Sequence, residues 1–363
     1  MRNLFRGTDW KNLAGTAALG VGLVSAPAAA DPTNTTGLFS RNVVYHSQLD
    51  EYGTYSDIWG YTAPDGREFV LVGVITGISV VEITNHARPV EVGFFPRNGS
   101  AWRDIKTYGT YAYDVTEAPN TGLGIINLTD PAQPVAAGAS SHFSRAHNLF
   151  IDESTGYAYV AGSDNGAGGV QIYSLAVPAT PVFVGQWQAA YAHDVFVQDG
   201  LMLVSAIQAG RLFLVDVSNP AAPVDLGNVT YSNAYTHNAW LSPDNQYAIT
   251  TDERGGALMR FWDVSDPSNP VQMGTWSANP RSIPHNALIK GDLAYVSYYS
   301  AGVRILDVSD YANPTEVGFY DTFPTSNITA FQGCWGVFPY FPQSPGLFVA
   351  SDISRGIYIL EYG

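Results

Sequence analysis

The sequence predicts an all-β fold, a seven-bladed β-propeller closed into a ring. Three observations support this prediction: a composition rich in hydrophobic residues and turn formers, a pattern that returns along most of the chain, and an extra strand near the N-terminus. Of the 363 residues, 46% are hydrophobic, 13% are charged, 36 are Gly and 22 are Pro. This composition is typical of a turn-rich β-protein with a substantial core, and it excludes disordered and collagen-like chains.

Residues 1–30 are predicted to be a secretory signal that is cleaved after Ala30. Arg2, Arg6 and Lys11 accompany the apolar run "LAGTAALGVGLVSAPAAA", which ends in small residues, as signal peptides do. Residues 31–41 are expected to form a linker and residues 42–363 the propeller. The protein is therefore expected to be secreted or periplasmic. No later segment is long enough to predict a membrane span.

The charge balance and the cysteine content restrict the partners and the chemistry. The formal net charge is −15, and loss of the basic signal segment would make the chain more acidic still. Such a surface repels phosphate backbones, so nucleic acid is not an expected partner. Cys334 is the only cysteine, so the fold relies on its core without an internal disulfide. We expect a monomer.

One short pattern returns six times and divides the chain into units. Each copy closes an alternating strand, turns through small polar residues and ends on a proline that precedes another strand. Because proline cannot donate a ladder hydrogen bond, this position fits the start of an outer strand. The copies are "EITNHARP" (82–89), "NLTDPAQP" (127–134), "SLAVPATP" (174–181), "DVSNPAAP" (216–223), "DVSDPSNP" (263–270) and "DVSDYANP" (307–314).

Four short strands fit into each unit, which is the size of a propeller blade. In the fourth unit they are "HDVFVQ", "LMLVSAI", "RLFLVDV" and "PVDLGNV". The seventh unit has only three such strands, and "NVVYHSQL" (42–49) is available to supply the fourth. We therefore predict that this N-terminal strand completes the last blade and closes the ring, which leaves only short, protected edges. An open solenoid would leave that strand without a role.

The repeated segments resemble the LVIVD-repeat proteins, and the fuller set is similar to the choice-of-anchor B family. The segments that carry this likeness include "SDIWGY", "WRDIKTY", "AHNLFID", "AHDVFV", "THNAWL", "PHNALIKGDLAYVSYYSAGVRILDVSD" and "SDISRGIYILE". The resemblance covers residues 42 to 363. It implies an exported, usually surface-attached β-propeller. Because the family's sorting or anchoring tail does not precede Gly363, we do not expect surface attachment here.

Titratable side chains begin the first strand of six units, at intervals of about 43 to 48 residues, and Trp335 follows in the same frame in the seventh unit. Because first strands line the axis of a propeller, we expect these groups to meet at one mouth of the channel and to hold a metal ion or a small ligand. Imidazoles suit zinc, copper or iron, and the carboxylates leave calcium open as well. The candidate metal ligands are His147, His193, His237, His285, Asp57 and Asp104.

Further polar residues are expected near the same mouth. Asn148, Asp194, Asn238 and Asn286 alternate with the ring and could orient it, while Glu117, Asp164 and Gln208 should reach the rim. The candidate ligand-binding residues are Arg103, Arg145, Trp335, Asp252, Glu253 and Asp352. The arginines could hold an anionic group. Trp59, Trp102, Trp240 and Trp335 could stack on a sugar or pack between blades.

Several functions agree with this pattern. The first is an exported recognition or scaffold module that binds a metal ion, small ligand, glycan or protein at the channel mouth. The second is a metal-dependent oxidoreductase that uses the His ring. The third is a polysaccharide-binding or polysaccharide-cleaving protein. The ring could also be purely structural, since a propeller fold alone fixes no function. No nucleophile elbow, phosphate loop or metalloprotease motif is present, and enzymatic activity stays open.

Overall fold

A computed structural model describes residues 39–325 and 328–363 of the chain. The predicted secretory signal, residues 1–30, and most of the predicted linker lie outside the described residues. The described part contains 29 strands, β1 to β29, arranged in seven sheets, and it contains no α-helix. Within that part there is accordingly no helix long and apolar enough to cross a membrane. The predicted all-β, seven-bladed propeller is confirmed.

Six blades are each built from four consecutive strands, hydrogen-bonded antiparallel in chain order. The first blade contains β3 (Tyr55–Thr62), β4 (Glu68–Val74), β5 (Gly77–Glu82) and β6 (Val90–Pro96). The second blade contains β7 (Arg103–Tyr108), β8 (Tyr111–Thr116), β9 (Leu123–Asn127) and β10 (Val135–Ser140). The third blade contains β11 (Asn148–Asp152), β12 (Tyr157–Ala161), β13 (Val170–Ser174) and β14 (Val182–Trp187). The fourth blade contains β15 (Asp194–Gln198), β16 (Leu201–Ala206), β17 (Arg211–Asp216) and β18 (Val224–Val229). The fifth blade contains β19 (Thr236–Leu241), β20 (Tyr247–Asp252), β21 (Met259–Asp263) and β22 (Val271–Trp276). The sixth blade contains β23 (Ala287–Lys290), β24 (Leu293–Ser297), β25 (Val303–Asp307) and β26 (Thr315–Tyr320).

The seventh blade joins both ends of the described chain. Its first three strands, counted from the channel outwards, are β27 (Cys334–Phe338), β28 (Leu347–Asp352) and β29 (Gly356–Tyr362), and its outer strand is β2 (Val43–Leu49). β2 runs antiparallel to β29, with Val43 opposite Tyr362. The prediction that residues 42–49 close the ring is therefore confirmed. The short strand β1 (Ser40–Arg41), at the end of the predicted linker, pairs with β26 as a fifth strand of the sixth blade.

The outer strands start where the repeated prolines predict. β6, β10, β14, β18, β22 and β26 each begin on the residue after the proline of their unit. Each also pairs with its neighbour through a register shift, for example between Leu214 and Val215. Such bulges twist and interrupt an edge, so they protect the outer strands against pairing with another chain.

Aromatic side chains close one end of the central channel. Phe150, Phe196 and Trp240, from three consecutive inner strands, pack with ring centroids 4.8 and 4.3 Å apart. Trp59 and Phe338 meet from the other side at 4.8 Å, and no Cβ could be added at Gly60 without striking the Phe338 ring. The channel is thus a packed core at this end, and polar side chains of the inner strands collect at the other.

Candidate functional site

Four histidines lie side by side where consecutive inner strands begin. The ring centroids of His147 and His193 are 4.0 Å apart, those of His193 and His237 4.3 Å, and those of His237 and His285 4.4 Å. Trp335 continues the row, with its ring 4.9 Å from that of His285. The structure therefore brings the four predicted histidines and Trp335 together at one mouth of the channel.

Hydrogen bonds to the backbone fix the orientation of three imidazoles in this row. The Nδ1 atoms of His193 and His237 donate to the backbone carbonyl of the next histidine, each at 3.2 Å. His285 Nδ1 donates in the same way to the carbonyl of Trp335 at 2.5 Å. Because a carbonyl oxygen can only accept, the proton of each neutral ring lies on Nδ1. Nε2 is then left with a free lone pair, the arrangement that metal-binding histidines use.

Glu253 faces this row from the turn after β20. One carboxylate oxygen lies 3.7 Å from His237 Nε2, and the other lies 3.7 Å from His285 Nε2. The hydroxyl of Tyr299, from the equivalent turn of the next blade, donates to Glu253 at 2.6 Å. The carboxylate is thus held in place between two imidazoles.

His193, His237 and Glu253 form a group that could hold a metal ion, because one ligand atom from each lies within 4.8 Å of the others. Bonds from zinc to nitrogen or oxygen ligands measure about 2.0 to 2.2 Å, so a small inward shift of the side chains would place all three around one ion.

The surroundings keep three of the rings neutral. Burial lowers the pKa of His193 and His237 well below the ordinary value, and neighbouring imidazoles lower it further. Burial likewise lowers the pKa of His285 to about 3. Burial also raises the pKa of Glu253 to about 7, although its bond from Tyr299 opposes the shift. Neutral imidazoles are the form that binds metal.

His147, at the end of the row, has a different partner. Its Nδ1 lies 2.6 Å from the Glu117 carboxylate. Burial alone would lower the pKa of His147, but the bond and the charge of Glu117 outweigh that effect and raise it. The ring packs over Gly162, whose φ of +67° favours glycine and where a Cβ would lie 2.7 Å from His147 Cβ. His147 is therefore the imidazole in the row that most readily carries a proton.

Asp57 and Asp104 belong to a second cluster, one residue further along the inner strands. Both contact the ammonium of Lys106, which lies 3.2 Å from Asp57. Burial opposes the charge of Lys106, but the two carboxylates outweigh it and raise its pKa. The structure thus pairs the predicted carboxylates with a buried lysine and separates them from the histidines.

This second cluster continues through the residues that follow the histidines. Asn148 Nδ2 donates to Asp104 at 2.9 Å and to Asp194 at 3.2 Å, and Asn238 also donates to Asp194 at 3.2 Å. Burial raises the pKa of Asp194 to about 7. The predicted alignment of Asp57 with the histidines is therefore wrong by one residue. The residues that occupy the position of Asp57 in the third, fourth and fifth blades are Asn148, Asp194 and Asn238.

The other predicted ligand-binding residues have varied surroundings. Arg103 is buried and donates to the carbonyls of Val74, Ile75 and Asn98. These bonds stabilise backbone segments of the first blade and of its connection to the second blade. Asp252 is buried in an ion pair with Arg260. Asp352 is buried and accepts from the Ser354 amide. Arg145 is exposed beside the row of histidines.

Some of the predicted rim and sugar-stacking residues lie at the mouth, and others do not. Glu117 joins the site through His147, Asp164 accepts from the backbone amides of 144 and 145, and Gln208 is exposed. Trp59 and Trp240 lie among the aromatic side chains that close the other end of the channel. Stacking on a sugar at the mouth is therefore left to residues such as Trp335.

Two residues that are central in the structure, Lys106 and Tyr299, lie outside the repeated sequence patterns. Lys106 lies two positions after Asp104 in "RDIKTY", and this alternation places both on the same side of the strand. That spacing was a usable signal. Tyr299 had none, since its contact with Glu253 joins turns of two blades.

Comparison with known protein families matches two segments, residues 189–230 and 285–322, to the LVIVD repeat. The fourth and sixth blades carry this repeat. Each match spans the four strands of its blade and includes one of the repeated "DVS" turns. The likeness to the LVIVD repeat is confined to these two segments.

The remaining comparisons concern the fold. No curated protein matches the chain. A crystal structure of a protein from Lactobacillus plantarum is similar, with a TM-score of 0.60 and 14% sequence identity, and the match covers 82% of this chain and 88% of that one. At this identity the likeness supports the architecture alone.

Proposed function

We propose that this propeller is an exported recognition or scaffold module that binds a transition-metal ion at its channel mouth. The observation that carries the proposal is the uniform orientation of the histidines. In His193, His237 and His285 the Nδ1 proton is committed to a backbone carbonyl, which frees Nε2. A ring of histidines kept only for structure would have no need for a carboxylate facing two of these Nε2 atoms.

The chemistry of the ligands favours zinc, copper or iron. The proposed set contains two imidazole nitrogens and one carboxylate oxygen, from His193, His237 and Glu253, with His285 beside them. Mixed nitrogen and oxygen ligands of this kind suit those metals. Calcium prefers six to eight oxygen ligands, which this mouth does not offer.

Export and a relationship to the choice-of-anchor B family are part of the same proposal. The LVIVD matches support the relationship, and the basic and apolar residues of segment 1–30 support export to the periplasm or the medium. Expression of the full chain in a bacterial host, with N-terminal sequencing of the extracellular or periplasmic protein, tests this part. We expect the mature chain to begin after Ala30.

Elemental analysis tests the metal site. The protein is purified with a peptide tag that does not bind metal, and its metal content is compared with that of the His237→Ala and Glu253→Gln variants. His142→Ala is the matched control, because His142 is exposed and contacts Tyr173 away from the mouth. We expect about one ion per chain in the wild type and the control, and a loss in both site variants.

The identity of the metal separates the candidate functions. A redox-active metal, with oxidase activity that requires it, would favour the metal-dependent oxidoreductase over the recognition module. Wild-type protein that contains no stoichiometric metal, even after incubation with zinc, copper or iron, would refute the proposal and leave the ring with a structural role.

A further inference from the structure

The surface around the proposed metal site has an unusual distribution of cations. Arg145, Arg254 and Arg281 are exposed, and within the described residues their guanidinium groups take part in no ion pair or side-chain hydrogen bond. Most other arginines are engaged, for example Arg97 with Asp114 and Arg304 with Glu316. In a protein with a formal net charge of −15, free cations of this kind are scarce.

All three free arginines belong to segments that lead to or from the site. Arg145 lies just before His147, Arg254 directly follows Glu253, and Arg281 lies in the segment that leads to His285. The turn of Arg254 also touches that segment, since the Gly256 amide donates to the Ser282 carbonyl at 3.4 Å. The arginines therefore lie at the mouth end of the third, fifth and sixth blades.

Most of the exposed aspartates lie at the opposite end of the propeller, whereas the carboxylates at the mouth end include Asp164, beside Arg145, and Glu117, beside His147. The aspartates at the opposite end lie in the turns that join the first to the second strand and the third to the fourth strand of each blade. Examples are Asp130, Asp199, Asp244, Asp266, Asp292 and Asp310. An approaching anion is therefore repelled more strongly at that end than at the mouth, where the arginines offset the carboxylates.

Half-buried aromatic rings accompany the arginines. Trp335 ends the row of histidines, and the Arg254 guanidinium lies 4.2 Å from the centre of the Tyr235 ring. Flat rings pack against the apolar face of a sugar, while guanidinium groups pair with carboxylates through two parallel hydrogen bonds.

We infer that the mouth binds an acidic oligosaccharide, a chain of sugars that carry carboxylate groups. The inference rests on the proposed metal site, because the ion would bind one carboxylate while the arginines bind its neighbours. Three cations on three blades fit a ligand with several spaced charges better than a single small anion.

Binding measurements with defined oligosaccharides test this inference. Isothermal titration calorimetry compares trigalacturonate with maltotriose, a neutral trisaccharide, and with glutarate, a dicarboxylate without a sugar ring. We expect trigalacturonate to bind, with an affinity that falls as NaCl is raised, and both other compounds to bind at least tenfold more weakly. Equal binding of maltotriose would overturn the requirement for charge, and equal binding of glutarate would overturn the requirement for a sugar.

Variants locate the binding. Arg145→Gln, Arg254→Gln and Arg281→Gln should each weaken trigalacturonate binding roughly tenfold or more, since each removes a charge-assisted contact. Arg88→Gln is the matched control, because Arg88 is equally exposed and lies at the acidic end. Unchanged affinity in all three mouth variants would refute the inference.

Metal content measured in the same preparations separates the two proposals. Full metal occupancy in the wild type without trigalacturonate binding would refute only the acidic-oligosaccharide inference. Arginine-dependent binding to a metal-free wild type would refute only the metal site.

Discussion

The His193 imidazole donates its Nδ1 proton to the backbone carbonyl of His237, one blade further around the ring. This bond ties the side chain that begins one inner strand to the backbone that begins the next. It holds two rings 4.3 Å apart and leaves the Nε2 atom of His193 without a proton. The same arrangement recurs at the next two blades, so one structural device both joins the blades and presents ligand atoms.

Replacement of His193 by alanine should remove bound metal while the propeller stays folded. A metal that binds only the folded state stabilises it by about 2.7 kcal/mol when its free concentration is a hundred times its dissociation constant. Thermal melts with and without EDTA should therefore show a lower melting temperature for chelated wild type and almost no effect of EDTA on His193→Ala. A wild-type melt that EDTA does not move would contradict this prediction. His142→Ala, outside the mouth, should respond to EDTA like the wild type.

Replacement of Tyr299 by phenylalanine should weaken metal binding without removing a ligand. The hydroxyl of Tyr299 holds the Glu253 carboxylate at 2.6 Å, and loss of such an orienting bond lowers metal affinity by about 10- to 100-fold. Competition titrations with a chelating dye measure the change. Tyr298→Phe is the matched control, because Tyr298 is also buried but does not contact Glu253. Equal affinities of the two variants would show that Tyr299 does not position the carboxylate.

The Asp194→Asn variant should gain stability relative to the wild type as the pH rises. The pKa of Asp194 is raised by burial to about 7, whereas an unfolded chain has an aspartate pKa near 3.9. Between these values the folded state binds the extra proton, so the wild-type free energy of unfolding falls with rising pH, and the penalty is complete above pH 7. Asparagine cannot ionise and avoids this penalty.

Urea unfolding at pH 5 and pH 8, with EDTA present, measures the difference. Relative to the wild type, Asp194→Asn should be more stable at pH 8 than at pH 5 by on the order of 2 kcal/mol. Asp199→Asn, an exposed position in the same blade, should show no such trend. A pH-independent difference for Asp194→Asn would mean that Asp194 is ionised in the fold throughout this range.

Replacement of Lys106 by methionine should destabilise the propeller strongly. Its ammonium is the cation between the buried carboxylates of Asp57 and Asp104. Removal of one partner from a buried ion pair typically costs about 3 to 5 kcal/mol, because the remaining charge is uncompensated. Urea unfolding should show this loss, and a triple variant with Asp57→Asn and Asp104→Asn should recover a large part of it. A triple variant no more stable than the single one would contradict the electrostatic explanation.

Deletion of the closing strand should destabilise the ring. A chain that starts at residue 50 lacks β2, which leaves the edge of β29 unpaired and the core of the seventh blade partly exposed. We expect this chain to melt early or to aggregate. A chain that starts at residue 39 keeps β2 and should behave like the full protein. Identical melting of the two truncated chains would argue against closure by β2.

Local sequence patterns determined most of the architecture. Alternating strands, proline-terminated turns and a unit of constant size are encoded within each blade, so seven blades and the closing role of residues 42–49 follow from the sequence. The recurrence of His at 147, 193, 237 and 285 likewise placed one side chain at the same point of successive inner strands.

Tertiary structure alone decided which residues share a cluster. Side chains of a strand alternate between two sides, so an error of one residue in the alignment of blades moves a group from one layer to the other. For this reason Asp57 and Asp104 pair with Lys106 instead of joining the histidines. The contact of Tyr299 with Glu253 depends on two turns from different blades, and no periodicity within one blade encodes the distance between them.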